Sequence, residues 1–196
     1  MSTAAVSTRP GEVLADLLPA SASRVRDIAL VLGGAALTGI AAQIAVPVPG
    51  SPVPVTGQTF AALLVGTALG ARRGFLSLAV YTLAGMAGVK WFAEGGSGVA
   101  APSFGYVLGM LLAATLVGAL ARRGGDRSVL RTAGTMLLGE AVIYAIGVPY
   151  LALATGMTLT QAVAAGLTPF LIGDALKAAL AMGALPTAWK LAERRG

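Results

Sequence analysis

Residues 44–60, IAVPVPGSPVPVTGQTF, place four prolines (Pro47, Pro49, Pro52, Pro54) within eight positions, after one long apolar run and before another. Proline cannot continue a helix, and the residue before it is pushed towards extended backbone. A stiff, extended segment between two greasy runs reads as the outer turn between two membrane helices.

Composition supports that reading. Only 11% of the 196 residues are charged, 56% are hydrophobic, and the mean hydropathy is +0.81. A soluble domain carries about 25% charged residues. Apolar runs at 27–46, 57–71, 74–90, 104–121, 132–154 and 168–189 give six candidate spans. The second and third fall short of the ~20 residues that usually cross a bilayer. They are read as full spans joined by Arg72-Arg73-Gly74, with a re-entrant pair as the alternative. The expected fold is an all-α integral membrane protein of six transmembrane helices. Residues 27–190 form this membrane domain, 1–26 a mobile or interfacial N-terminal arm, and 191–196 a basic cytoplasmic tail. The first long apolar run starts near Ile28 and is too long for the core of a cleaved signal, so the first span is expected to stay.

The net charge of +6 is a topology signal. Arg9, Arg24 and Arg26 precede span one, and Arg72 and Arg73 join spans two and three. Arg122, Arg123, Arg127 and Arg131 join spans four and five, and Lys190, Arg194 and Arg195 end the chain. Twelve of the fourteen basic residues thus fall on one side, which the positive-inside rule makes cytoplasmic together with both termini. No nucleic acid is needed to explain the charge.

Absences narrow the chemistry. The chain has no Cys and no His, so thiolate chemistry, sulfur-ligated metals and the commonest proton shuttle are excluded. No GxxxxGK[ST] motif is present, so any transport would draw on an ion gradient or on a partner's ATPase. No metal or cofactor is expected.

Three charges lie at membrane depth: Glu140 in LLGEAVIYAIG, and Asp174 and Lys177 in TPFLIGDALKAALA. A charge at the bilayer centre costs about 2.5–3.5 kcal/mol on insertion scales, so such groups face each other or a cavity. Asp174 and Lys177, three apart, share one helix face. They make either a self-neutralising ion pair, with Glu140 as a third member, or a polar ligand site. Their place near the outer end of the span, after Pro169, favours the site. The loop VKWFAEGGSGVAAPSFGY adds aromatics, Trp91 and Tyr106 among them, to a glycine-rich turn. Such residues often only anchor a span at the headgroups. Together they suit a small ligand whose apolar body lies on aromatic faces. The proline segment then roofs an outward-facing pocket, and Thr56 and Gln58 stand at its re-entry, where Gln58 serves either the ligand or the helix start. In span one, Gly34, Thr38 and Ala42 form one small-residue face and Ala35 and Gly39 another. Such faces let helices approach closely; Ala35 and Gly39 are candidates for a partner interface, with internal packing as the alternative.

The segments IAAQIAVPVPGSPVPVTGQTFAALLVGTALGARRGFLSLAVYTLAG, WFAEGGSG followed by PSFGYVLGM, and PFLIGDALKAALA resemble the BioY family, in order and spacing, from about residue 28 to 190. These are biotin-specific S components of energy-coupling factor (ECF) importers. The resemblance implies a multi-pass protein of a prokaryotic plasma membrane that captures biotin outside and is not itself an enzyme. It further implies a membrane-embedded T component and two cytoplasmic ATPases as partners. Biotin would lie under the first loop, against Asp174, Lys177, Trp91 and Tyr106. Glu94 departs from the more neutral loop that the resemblance leads one to expect. Two other classes stay open: a self-sufficient secondary transporter of a small organic acid or vitamin, and a membrane enzyme acting on a lipid.

Overall fold

Seven helices and one short hairpin carry residues 11–18 and 23–194, the part of the chain that this computed structural model describes. The order is α1 (Ser23–Ala42), β1 (Ala45–Val46), β2 (Val55–Thr56), α2 (Gln58–Leu69), α3 (Ala71–Met86), α4 (Phe104–Arg122), α5 (Val129–Thr155), α6 (Leu159–Gly166) and α7 (Leu171–Arg194). A helix stands at each of the six predicted runs, but the six-span expectation is met only in a coarser form. Among the described residues, four stretches are long and apolar enough to cross a membrane: Arg24–Ala42, Phe104–Arg122, Val129–Thr155 and Leu159–Arg194. The last runs through α6 and α7. The 12 residues of α2 rise only ~18 Å, because the hairpin and Gly70 (φ 83°) replace its outer turns.

The short helix α6 was not predicted, although its signals are in the sequence. Gly156 ends α5 with a φ of 71°, and Thr158 and Gln161 then form a capping box. That pairing of hydroxyl and amide satisfies the first free N–H groups and starts a new helix.

α4 is the central element, packed against α2, α3 and α5. Small residues permit this. A Cβ on Gly109 would lie 2.8 Å from the Ile143 backbone, and one on Gly74 would lie 2.8 Å from Gly66 Cα. Neither position tolerates a larger side chain, so α4 meets α5, and α2 meets α3, backbone to backbone.

The two ends of the bundle differ. One carries the hairpin, the 87–103 loop and α6. The other carries the α2–α3 turn, the α4–α5 loop and residues 11–18. Part of the expected arm at 1–26 proves to be packed structure: residues Leu14–Leu17 form one 3-10 turn, with Val13 and Ala15 buried against the core. Val13 reaches this depth because Asp16 is clamped. Its carboxylate takes Arg73 Nη1 at 2.7 Å and the Val13 N–H at 3.2 Å, with Arg122 3.6 Å away. Burial alone would raise the Asp16 pKa, but the Arg73 hydrogen bond, helped by Val13 and Arg122, holds it below its ordinary 3.8. Arg122 also donates to Gly11 O and Arg127 to Glu12 O. The rest of the arm at 1–10 and 19–22, and the last two residues of the basic tail, lie outside the described residues.

At the same end Asp126 is fully buried in the α4–α5 loop and accepts the Trp189 indole N–H at 2.7 Å. Arg127 stacks its guanidinium 3.5 Å from the centroid of that ring. This ties the C-terminal half of α7 to the loop, which the α7 backbone, interrupted by Pro186, does not do alone.

Candidate ligand-binding site

The proline segment folds as a hairpin. Ala45 pairs with Thr56 and Val46 with Val55, and the Ser51 N–H returns to Val48 O at 3.0 Å. Pro49 followed by Gly50 at φ 79° supplies what a type II turn demands. With four φ angles fixed by proline, this loop has little conformational entropy to lose. It lies on α7: a Cβ on Gly173 would be 3.3 Å from Val55. Val53 is buried beneath it.

Under the hairpin a polar network joins three helices. Tyr144 of α5 donates its O–H to Asp174 Oδ2. Lys177 of α7 donates to Asp174 Oδ1 at 3.0 Å and to Thr59 Oγ1 of α2 at 2.9 Å. Asp174 is 8% exposed, so this pairing keeps its charge affordable at depth. Next to the network lies Gln58, 4% exposed, whose Nε2 is buried with no hydrogen-bond partner. A buried amide without a partner costs about 1–3 kcal/mol, so its persistence calls for a function.

These groups line one cavity together with Val53, Thr56, Tyr106, Met110 and Phe170. Its volume is about 30 Å³, room for roughly two waters, within about 450 Å³ of space that includes the opening. The pocket under the proline hairpin is thus narrow. A second chamber of about 130 Å³ lies across Tyr144, Asp174 and Lys177, which face both. Its walls are apolar apart from that network and Glu140, which is 8% exposed and whose Oε2 has no hydrogen-bond partner.

Of the residues expected at the site, Asp174, Lys177, Tyr106, Gln58 and Thr56 line the cavity. Thr56 Oγ1 receives the Gln58 N–H at 3.3 Å, so the hydroxyl and not the Gln58 side chain caps the start of α2. The Tyr106 hydroxyl donates to Gly166 O at 2.8 Å, which leaves its ring to face the cavity. Glu140 faces the second chamber. Trp91 is absent from the cavity lining: its indole donates to Tyr81 O at 2.9 Å and its ring packs on Tyr81, 5.1 Å between centroids. That loop reaches the cavity through Ala93 and Ser103 instead. Ala35 and Gly39 turn inward as well. Ala35 is buried, and a Cβ on Gly39 would meet Trp91 at 3.0 Å, so this face packs inside the chain rather than against a partner. Sequence reasoning missed Tyr144 and Thr59. Tyr144 stands one turn from Glu140 on the same helix face, and a phenol at that depth needs an acceptor.

A model of the BioY family matches residues 13–194, nearly all of the described chain. The chain belongs to the BioY family. The match begins earlier than the resemblance near residue 28 suggested and takes in Val13 and the packed 3-10 turn. Relatives include a probable biotin transporter BioY of Pyrococcus horikoshii, 36% identical over 81% of this chain and 93% of that one. Biotin transporter BioY of Thermotoga maritima is 34% identical over 74% and 85%. Biotin transporter BioY2 of Lactococcus lactis subsp. cremoris is 32% identical over 81% and 87%. The crystal structure of the S-component for biotin from an ECF-type ABC transporter superposes with a TM-score of 0.77, covering 88% of this chain and 95% of that one at 20% identity. This BioY-family chain therefore has the S-component fold and is a membrane protein.

Proposed function

We propose that this protein binds biotin from outside the cell and delivers it inward as the substrate-specific S component of an ECF-type importer. The relatives named above are biotin transporters, and the fold is that of a biotin S component. The observation that carries the proposal is the cavity under the hairpin, where a buried, partnerless amide donor stands beside a charged acid–amine pair. Biotin offers a ureido ring with two N–H donors and one carbonyl, an apolar bicyclic body, and a carboxylate. Asp174 accepts ureido N–H groups in place of the Lys177 or Tyr144 donors it holds in the free protein. Gln58 Nε2 and Lys177 donate to the carbonyl. Tyr106, Met110 and Phe170 cover the apolar body.

Entry requires the narrow cavity to widen, and the hairpin, which roofs it through Val53, Pro54 and Thr56, is the element that yields. In this reading all six long helices span the membrane, with α2 and α3 completed by the hairpin base and the Arg72-Arg73 turn. Both termini and the arginine-rich end face the cytoplasm of a prokaryotic cell. A membrane T component and two ATPases supply the energy, since the sequence carries no P-loop.

Calorimetric titration of the purified protein with biotin tests the proposal. Saturable one-to-one binding is expected, with no competition from a short straight-chain acid such as valerate. Absence of binding overturns it. A second reading, a self-sufficient ion-coupled transporter, draws on Glu140 lying across Tyr144 from the cavity. Biotin uptake that requires ATP and the partner subunits, and survives an ionophore, excludes that reading.

A further inference from the structure

At the end of the molecule opposite the binding cavity, a groove of about 470 Å³ runs between α1 and α3. It is lined by four arginines, Arg24, Arg72, Arg73 and Arg122, by one acid, Asp27, and by apolar walls that include Ile28 and Leu32 of α1 and Leu76 of α3. The charges stand at one end only, because the arginines and Asp27 belong to the helix ends there while the apolar residues lie further along the same helices.

The acids within reach are already engaged. Arg73 takes Asp16 at 2.7 Å and Asp27 at 3.0 Å. Arg122 donates to Gly11 O at 2.7 Å and leans on Asp16. Arg24 and Arg72 are exposed and, among the described residues, form no hydrogen bond or ion pair. Ile28, Leu32 and Leu76 are exposed too, so nothing among the described residues covers the slot below them.

Unpaired cations above an apolar slot complement a molecule with an anionic head and a hydrocarbon tail. We propose that this groove binds an anionic phospholipid, with its phosphate held by Arg24 and Arg72 and one acyl chain lying between α1 and α3. A partner helix seated here would have to bring an acid to that level, whereas an anionic lipid carries its charge there by construction. The proposal does not depend on biotin being the cargo, since the groove shares no lining residue with the binding cavity.

The test is native mass spectrometry of the purified full-length protein titrated with dioleoyl phosphatidylglycerol or dioleoyl phosphatidylcholine. Phosphatidylglycerol is expected to bind with about tenfold preference, and R24Q/R72Q to reduce its binding roughly tenfold, ~1.4 kcal/mol. R123Q/K190Q removes the same net charge outside the groove and is expected to bind phosphatidylglycerol like the wild type. Thermal unfolding in phosphatidylcholine nanodiscs confirms that both variants fold, and Leu76→Trp, which fills the slot and keeps every charge, is expected to lower binding as well. Equal binding of the two lipids, full retention by R24Q/R72Q, or an equal loss in R123Q/K190Q overturns the proposal. So does a cross-link from Ile28→Cys to a partner protein that phosphatidylglycerol does not diminish.

Discussion

Tyr144 and Lys177 hold opposite oxygens of one carboxylate: the phenol of α5 donates to Asp174 Oδ2, and the ammonium of α7 donates to Oδ1 at 3.0 Å. The acid is therefore fully oriented before a ligand arrives, and each of its bonds can be exchanged for a ligand N–H. Asp174→Asn removes the charge and one acceptor, and biotin affinity is expected to fall at least tenfold, ~1.4 kcal/mol or more. Tyr144→Phe removes only the orienting O–H and is expected to cost less, about three- to tenfold. Because both act on one carboxylate, the double variant is expected to lose less than the two effects added. Calorimetric titration of all four proteins checks this; strict additivity, or unchanged affinity in Asp174→Asn, contradicts it.

Gln58 separates binding from stability. Its Nε2 is buried without a partner, so the ligand-free fold bears that cost. Gln58→Leu keeps much of the volume and removes the orphan donor. The ligand-free protein is expected to gain about 1 kcal/mol in stability, while biotin affinity falls roughly fivefold or more. Opposite shifts in a thermal melt and a titration are the signature. If the two fall together, Gln58 serves packing alone.

How much of this was legible in the sequence varies with the physics behind each signal. The hairpin was readable because proline fixes φ wherever it stands, and the charged pair on α7 because hydrocarbon penalises charge without regard to context. Tyr144 escaped notice because a phenol counts as apolar in any hydropathy sum, although its O–H completes the network. Trp91 illustrates the converse. An aromatic beside a glycine-rich turn can face a ligand or its own chain, and only the Tyr81 carbonyl, 2.9 Å away, decides. Ala35 and Gly39 share that ambiguity: a small-residue face specifies close approach but not what approaches. Helix α6 was lost in the connection between two longer runs, since its eight residues are too few to stand out as an element of their own.

Glu140 bears on the choice between an ATP-driven and an ion-coupled importer. It faces the second chamber with Oε2 unpartnered, while Lys177 is engaged by Asp174 and Thr59. Glu140→Gln preserves the shape and removes the acid. Biotin affinity is expected to change by less than about threefold, below 1 kcal/mol, because no hydrogen bond to the network is lost. ATP-driven uptake in reconstituted vesicles is expected to continue. Loss of uptake with binding intact would favour the ion-coupled reading.

Asp16 gives the arginine-rich end a pH dependence of determinate sign. Its folded-state pKa lies below the ordinary 3.8, because Arg73 and the Val13 N–H favour the ionised form more than burial opposes it. The unfolded chain therefore takes up the proton first as the pH falls. The stabilisation is complete above the ordinary carboxylate range and disappears as the pH drops through 3.8 to the folded value. Asp16→Asn removes it at every pH. At pH 7 the variant is expected to be less stable by about 1 kcal/mol, modest because the pair is partly exposed to solvent. The difference between the two melting curves is expected to hold from pH 7 to about 5 and to close progressively as the pH falls from 3.8 to the lower folded value, below which both proteins carry a neutral side chain. A gap that widens on acidification would mean that Asp16 is stabilised in its protonated form, and that the clamp on Val13 is not ionic.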